Sequence, residues 1–411
     1  MTGWLKLTDD QRRTSIAQAA INSGITAKAI EKDWWVTLTL KALFESTIAK
    51  FFIFKGGTSL SKGWKLIERF SEDIDIALDP MAFGREYKIN PSHTYVKTLR
   101  KEGCAFTSTV LLDALKAQFN HVGIPMDDIS IVAEAVTDTI PDKDPQTIYI
   151  RYKSLYPPHG YIADEVKVEF SVRSLKDPYA RITIQSILSE AFPNIAYAET
   201  PFEIVAVEPR KTLLEKAFLL HEKFLNVNTD KIKIERLSRH LYDLVKMMDT
   251  EAGQQVLKDH EFYATLVEHR KNYIRLSGVD YDTLHYSTLS FIPPDAVLEM
   301  FRQDYRSMQA AMIYGTSPDF DTMISQLKLL TGRFRLINEH DVLENIIKAA
   351  TAKIDNDKSF ESEGVTFSTP VTYLSNINKP AGQANKTVTY NVQFIRKGGN
   401  WLFESVTINH G

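Results

Sequence analysis

Residues Phe51–Leu78, FFIFKGGTSLSKGWKLIERFSEDIDIAL, decide how the rest of the chain is read. Phe51–Phe54 is a short apolar aromatic run. Gly56-Gly57 breaks it, and Thr58-Ser59 places two hydroxyls at the start of a helix. Leu60, Trp64 and Ile67 follow at helical spacing. Ser71–Leu78 then alternates with period two, so Ile74, Ile76 and Leu78 face one way and Asp73 and Asp75 the other. The spacing predicts strand, glycine turn, helix, strand.

That arrangement has a chemical use. Glycines let a backbone approach a phosphate closely. Free N–H groups at a helix start attract anions, and the helix dipole adds to this. Two carboxylates on one strand face can share a hard cation such as Mg²⁺. A phosphate cradle beside such a pair is the equipment for transfer from a nucleoside triphosphate. A Gly-Gly turn alone is usually only a turn, and Asp-x-Asp alone is common. The combination, with a strand expected under each, carries the reading.

At these residues the chain resembles a known group. Gly56-Gly57-Thr58-Ser59, Lys62, Arg69 and Ser71-x-Asp73-x-Asp75 are similar to the first motif of the AbiEii/AbiGii family of nucleotidyltransferase toxins, within the polymerase-β-type superfamily. Further along, Glu165–Phe170 alternates, with Val166, Val168 and Phe170 on one face and Lys167 and Glu169 on the other; this Lys-x-Glu resembles the family's second motif. Taken alone it reads as an amphipathic strand with a surface ion pair. Pro209 opens a helix in which Lys216 matches a family lysine, with a surface lysine as the plain alternative. The string Arg239-His240-x-Tyr242-Asp243-Leu244 resembles the last motif. On one continuous helix Arg236, Arg239, His240 and Asp243 share a sector opposite Leu237, Leu241 and Leu244. The plainer reading there is an Arg239–Asp243 ion pair one turn apart and a packed His240.

The resemblance implies an α+β fold: a polymerase-β-type core with a mixed or antiparallel sheet and N-terminal helices over residues 1–245, then a helical domain over 246–338. It implies that Asp73, Asp75 and Glu169 hold two Mg²⁺ ions. Gly56, Gly57, Thr58, Ser59 and Ser71 would seat phosphates, with Lys62, Arg69, Lys167 and Lys216 offsetting their charge. Asp243 would orient a substrate hydroxyl or a basic side chain, and Arg236, Arg239 and His240 would meet phosphate or an RNA acceptor. The implied activity moves a nucleotidyl group from a nucleoside triphosphate (NTP) to a hydroxyl of RNA, tRNA included, or of protein. The implied setting is a bacterial or phage-encoded toxin of a toxin–antitoxin, phage-defence system, neutralised by a separately encoded antitoxin.

Composition bounds the alternatives. The 411 residues suit two or three domains. With 44% hydrophobic and 25% charged residues the chain reads as an ordinary globular protein. A net charge of −3 excludes a global basic field for nucleic acid, so RNA must meet a local patch. Cys104 is the only cysteine, which excludes an intrachain disulfide or a cysteine zinc site. No apolar run reaches the ~20 residues of a membrane span, and MTGWLKLTDDQRR lacks a signal-peptide core. The expectation is a cytoplasmic protein with no membrane partner.

Elsewhere Thr8 caps a helix running through Ala20, and Thr26 a second that holds Trp34 and Trp35 against the core and leaves Glu31-Lys32-Asp33 as a solvated face. Thr94–Val122 reads as helix, with Lys97, Arg100 and Lys101 serving solubility. Ile129–Tyr152 reads as a hairpin. Helices are expected at Phe262–Tyr273, Pro294–Met308 and Phe320–Ile337, with Arg270, Lys271 and Arg275 solvated. Residues 339–411 change character: a helix at Asp341–Ile354, short strands at Val365–Phe367 and Val371–Leu374, and a hairpin from Thr387 to Ile408 form a small separate module.

Three other classes share some of these residues. A metal-dependent nuclease could use Asp75, Glu169 and Lys167 but has no need of the Gly-Gly-Thr turn. A sugar-nucleotide transferase also uses Asp-x-Asp, yet wants a βαβ series where residues 1–50 read as helix. A non-catalytic binding protein on an inactive scaffold would have lost the carboxylates first.

Overall fold

The computed structural model describes residues 2–137, 139–158, 162–225, 232–335, 366–375, 386–397 and 400–410. It is mixed α+β. Seven strands form one sheet: β1 (Phe52–Lys55), β2 (Ile74–Leu78), β3 (Ile129–Ala133), β4 (Gln146–Tyr152), β5 (Glu165–Ser171), β6 (Tyr179–Ile184) and β7 (Phe202–Val207), in the order β3-β4-β5-β2-β1-β7-β6. The β2–β5 and β1–β7 pairs are parallel, and the other four are antiparallel. Strands β6 and β7 lie outside the motifs, although β6 alternates, with Ile182 and Ile184 buried and Tyr179, Arg181 and Thr183 exposed.

The sheet has one dry face. Phe52, Phe54, Ile74, Ile76, Ile148, Ile150, Val166, Val168 and Phe170 are all buried there. Helices α1 (Asp9–Ser23) and α2 (Ala27–Glu45) pack together, and α2 lies on β5 and on α5 (Leu112–His121). Helix α1 starts at a reciprocal cap, in which the Gln11 N–H donates to Thr8 Oγ1 and the Thr8 N–H donates to Gln11 Oε1. Trp34 and Trp35 are buried as expected, Trp35 stacked on Tyr152 with ring centroids 4.8 Å apart.

Glu31, Lys32 and Asp33 are buried, against the expectation of a solvated face. Helix α2 is enclosed along most of its length, and each charge finds a partner. Lys32 Nζ lies 2.7 Å from Glu72 Oε2, Lys62 Nζ lies 2.7 Å from Asp33 Oδ1, and Glu31 accepts from the Ser154 hydroxyl and the Leu155 N–H. Paired and hydrogen-bonded charges tolerate burial where single ones do not.

Helix α3 (Gly56–Thr58) widens at once into a π-helical turn, Ser59–Gly63, and stops there. The Trp64 N–H donates to Ser59 O at 2.9 Å, and Lys65 turns left-handed with φ 54°. Ile67 therefore lies beyond the helix that its spacing suggests. At Gly63 the turn passes close against β6, where an added Cβ would sit 2.2 Å from Ile182 Cδ1.

Helix α4 (His93–Phe106) reaches α5 through another π-helical turn, Thr107–Leu111, and α6 (Ile187–Ala191) is a short turn before β7. Helices α7 (Pro209–Phe224), α8 (Ser238–Met247), α9 (Glu251–Gln255), α10 (His260–His269), α11 (Asp295–Ala311) and α12 (Phe320–Arg335) complete the body, with α8 packed on α7, α11 and α12. Arg270, expected in solvent, is buried and paired with Glu222, Nε to Oε1 at 2.6 Å. Among the described residues no helix is long and apolar enough to cross a membrane.

The tail strands β8 (Thr366–Ser375), β9 (Lys386–Lys397) and β10 (Asn400–His410) form an antiparallel sheet in the order β10-β9-β8. One long strand replaces the two short ones expected. The helix expected at Asp341–Ile354 lies outside the described residues.

Candidate active site

Strand register builds the site. Lys55 on β1 faces Asp75 on β2, Asp75 faces Glu169 on β5, and Glu169 faces Thr147 on β4. One step along, Lys167 faces Tyr149, and Asp73 lies one residue ahead of β2. Because Ile74, Ile76, Val166 and Val168 take the dry face, period two sends Asp73, Asp75, Lys167 and Glu169 to the opposite one. Glu169 thereby joins two residues that lie almost a hundred positions earlier.

The glycines make room for this row. Gly56 has φ 79°, and a Cβ there would sit 2.1 Å from Asp75 Oδ2. A Cβ on Gly57 would sit 2.6 Å from Arg69 Nη2. The turn is thus needed for packing against the protein's own charged groups. The hydroxyls beside it are also turned inward. Thr58 Oγ1 donates to Asp73 O and lies 2.9 Å from Ser71 Oγ, and Ser59 Oγ donates to Gly56 O at 2.8 Å. They fix the backbone on which Asp73 rides.

Like charges crowd in this row. Burial, with Glu169 and Asp73 adding to it against Lys55, raises the Asp75 carboxyl to about 6. Burial works against the Lys55 ammonium, but Asp75, Glu215 and Glu169 outweigh it and raise its pKa. Lys167 is likewise raised, burial being overcome by its hydrogen bond to Glu169.

Behind the carboxylates lies a second charged layer. Arg69 forks onto Asp243, Lys216 Nζ reaches Asp243 Oδ2 at 2.9 Å, and His240 Nδ1 lies 3.3 Å from Lys216 Nζ. Lys216 is buried, so it is no surface lysine. Burial and the neighbouring Lys216 and Arg239 hold His240 well below the usual histidine range, hence neutral. Arg239 Nη1 stands 3.7 Å from Asp73 Oδ2 with its side chain 36% exposed. The Arg239–Asp243 pair suggested by their spacing does not form, because Asp243 points inward to Arg69 and Lys216.

Two of the named residues are drawn away. Lys62 Nζ is held by Asp33 and, at 2.9 Å, by Gln185 O. Arg236 precedes α8, with φ 61°; its N–H donates to Asp304 Oδ1 and its Nη1 lies 3.0 Å from Glu72 Oε1. It is therefore not on the helix sector that its spacing to Arg239 predicts. Reasoning from motifs passes over Lys55, Glu72 and Tyr149. Lys55 is legible all the same, since it alternates with Phe52 and Phe54 in the same period that marks out Asp75.

Among the described residues no three acidic, His or Cys side chains are gathered into a ready metal cage. The cations Lys55, Lys167 and Arg239 are interleaved with the acids. Mg²⁺ needs only one or two carboxylates, taking water and phosphate oxygens for the rest. An all-oxygen set whose members repel one another suits such an ion.

A family model described as nucleotidyl transferase AbiEii toxin, type IV TA system, matches residues 39–326, more than two thirds of the chain. No curated protein and no solved structure matches it.

Proposed function

The chain belongs to the AbiEii family of nucleotidyl transferase toxins of type IV toxin–antitoxin systems, and from that premise we propose that it transfers a nucleotidyl group from an NTP to a hydroxyl of RNA. The observation that carries this reading is the Asp75–Glu169 register with Asp73 beside it, next to the Gly56-Gly57 turn. The acceptor oxygen forms a bond to the α-phosphorus, the bond to the bridging oxygen breaks, pyrophosphate leaves, and the hydroxyl proton passes to solvent.

Asp73, Asp75 and Glu169 would hold two Mg²⁺ ions, which supply Lewis acidity at the attacking and leaving oxygens. Arg239, beside Asp73, and Lys167, beside Glu169, offset phosphate charge. The backbone of Gly56–Ser59 approaches the phosphates, while the hydroxyls of Thr58, Ser59 and Ser71 brace that backbone. Asp243 keeps Lys216 and Arg69 in place through its buried pairs. The type IV class implies an antitoxin, and tRNA is the acceptor we expect to test first.

The test incubates the protein with Mg²⁺ and each labelled NTP against total RNA and total protein. Labelled RNA lengthened by whole nucleotides, with pyrophosphate released, is the expected result. Shortened RNA with no NTP requirement would instead assign a nuclease, and label on protein would move the acceptor class.

A further inference from the structure

We infer that Tyr149, with Arg151 beside it, is the subsite on which a nucleobase of a single-stranded RNA acceptor stacks. This rests on the transferase reading above and extends it to the acceptor.

The placement comes from the sheet. Tyr149 faces Lys167 across the β4–β5 pair, and Glu169 faces the next residue on that side, Thr147. Tyr149 and Glu169 are therefore diagonal neighbours on one face, about 7–8 Å apart along such a pair. Phe52, Phe54, Tyr152 and Phe170 are buried in the core, and Tyr179, which is exposed, stands on the edge strand β6 at the other end of the sheet from β4. Tyr149 is half-buried on the functional face instead.

Its surroundings suit nucleic acid. The Arg151 guanidinium lies 5.5 Å from the Tyr149 ring centroid with its Nε donating to Glu165 Oε2 at 3.0 Å, and its side chain is 56% exposed, leaving its outer nitrogens open to solvent. Lys167, on the other side of Tyr149, is 37% exposed. A ring and a guanidinium plane offer stacking partners for bases, and the two cations suit phosphates. Phosphoryl-type transfer sets the attacking and leaving oxygens roughly in line. With the triphosphate beside the Gly56-Gly57 turn on the β1 side, the acceptor enters from the opposite side, across β5 and β4, where Tyr149 stands. Single-stranded ends are the acceptors that fit, because their bases are free to stack.

The experiment uses the full chain and its Tyr149→Ala, Tyr149→Phe and Arg151→Ala variants, each with its melting curve recorded. The probe is a short single-stranded RNA carrying 2-aminopurine next to its 3′ end. Binding to wild type should quench the fluorophore. Tyr149→Ala should abolish the quench and weaken RNA affinity about 5- to 150-fold, with NTP affinity unchanged. Tyr149→Phe should behave as wild type, and Arg151→Ala should fall between. Equal quench and affinity in Tyr149→Ala would overturn the inference, as would a loss confined to NTP binding or transfer to protein at an unaltered rate. Quenching by wild type without any transfer would instead sink the transferase reading and leave the subsite standing.

Discussion

Arg69 and Asp243, 174 residues apart in the chain, meet as a buried two-point ion pair, Nε to Oδ1 at 2.7 Å and Nη2 to Oδ2 at 2.8 Å. Their side chains are 2% and 0% exposed. Burial alone would raise the Asp243 carboxyl, but Arg69 and Lys216 outweigh it and hold it well below the usual carboxylate range. The pair ties the segment leading to Asp73 onto α8. The same segment is held from another side, where the Phe70 N–H donates to Met312 O at 2.7 Å.

Asp243→Ala should therefore cost stability as well as activity. It strands two buried cations, and breaking such a pair costs about 3–5 kcal/mol. Replacing both members, Arg69→Met with Asp243→Leu, should recover part of that loss, because Arg69 goes with its partner and Lys216 alone is left without Asp243. Denaturant unfolding of the single and double variants measures it. An Asp243→Ala protein as stable as wild type would show that Asp243 acts on substrate alone.

Asp73→Asn and Asp75→Asn should behave differently. Each keeps shape and removes a charge from a crowded row, so folding should be held or slightly improved. Transfer should fall to roughly a hundredth or less, because two-metal chemistry fails when a ligand loses its charge. Label transfer at saturating Mg²⁺, beside a melting curve, is the measurement. Undiminished transfer in either variant would remove the carboxylates from the mechanism.

What is legible in the sequence follows from periodicity. Asp73, Asp75, Lys167 and Glu169 alternate with apolar residues, so period two alone assigns them a shared kind of face. Strand neighbours are not encoded that way: period two gives Lys55 its face, but its place beside Asp75, and that of Tyr149 beside Lys167, come only from register. The charges of α2 defeat a local reading because burial of Glu31, Lys32 and Asp33 depends on partners far along the chain, such as Ser154, Glu72 and Lys62. Arg236 falls outside its expected sector because helical spacing does not extend past the helix's start at Ser238. The α3 turn ends before Lys65, whose left-handed backbone no local pattern announces.

Gly56→Ala tests whether the turn serves the carboxylate row. The new Cβ would meet Asp75 Oδ2 at 2.1 Å in a left-handed backbone position. Such strain costs about 1–3 kcal/mol, and the Asp75 carboxylate must leave its place in the row. The expected outcome is a lower melting temperature together with transfer reduced at least as far as in Asp75→Asn. A destabilised protein whose residual transfer per folded molecule equals wild type would separate the glycine from the site.

His221 supplies a pH test of the fold. Its Nδ1 accepts the Ser290 N–H at 3.0 Å, so the proton sits on Nε2, which donates to Thr283 Oγ1 at 3.0 Å. Burial lowers its pKa from 6.5 to about 4. Between those values the unfolded chain takes up a proton that the folded chain refuses. Stability from this group is therefore fully present above about pH 6.5 and is lost as pH falls towards 4, by roughly 3 kcal/mol in all. Protonating Nδ1 would also break the Ser290 bond, which ties α7 to the segment before α11. His221→Asn places an amide oxygen near the Nδ1 position and removes the titration. It should be less stable than wild type at neutral pH, because ring volume is lost, yet flatter between pH 6.5 and 4. Urea unfolding across that window measures both slopes. A variant whose stability falls with pH as steeply as wild type would show that His221 is not the group responsible, leaving His269, lowered by burial to about 3, as the one to replace next.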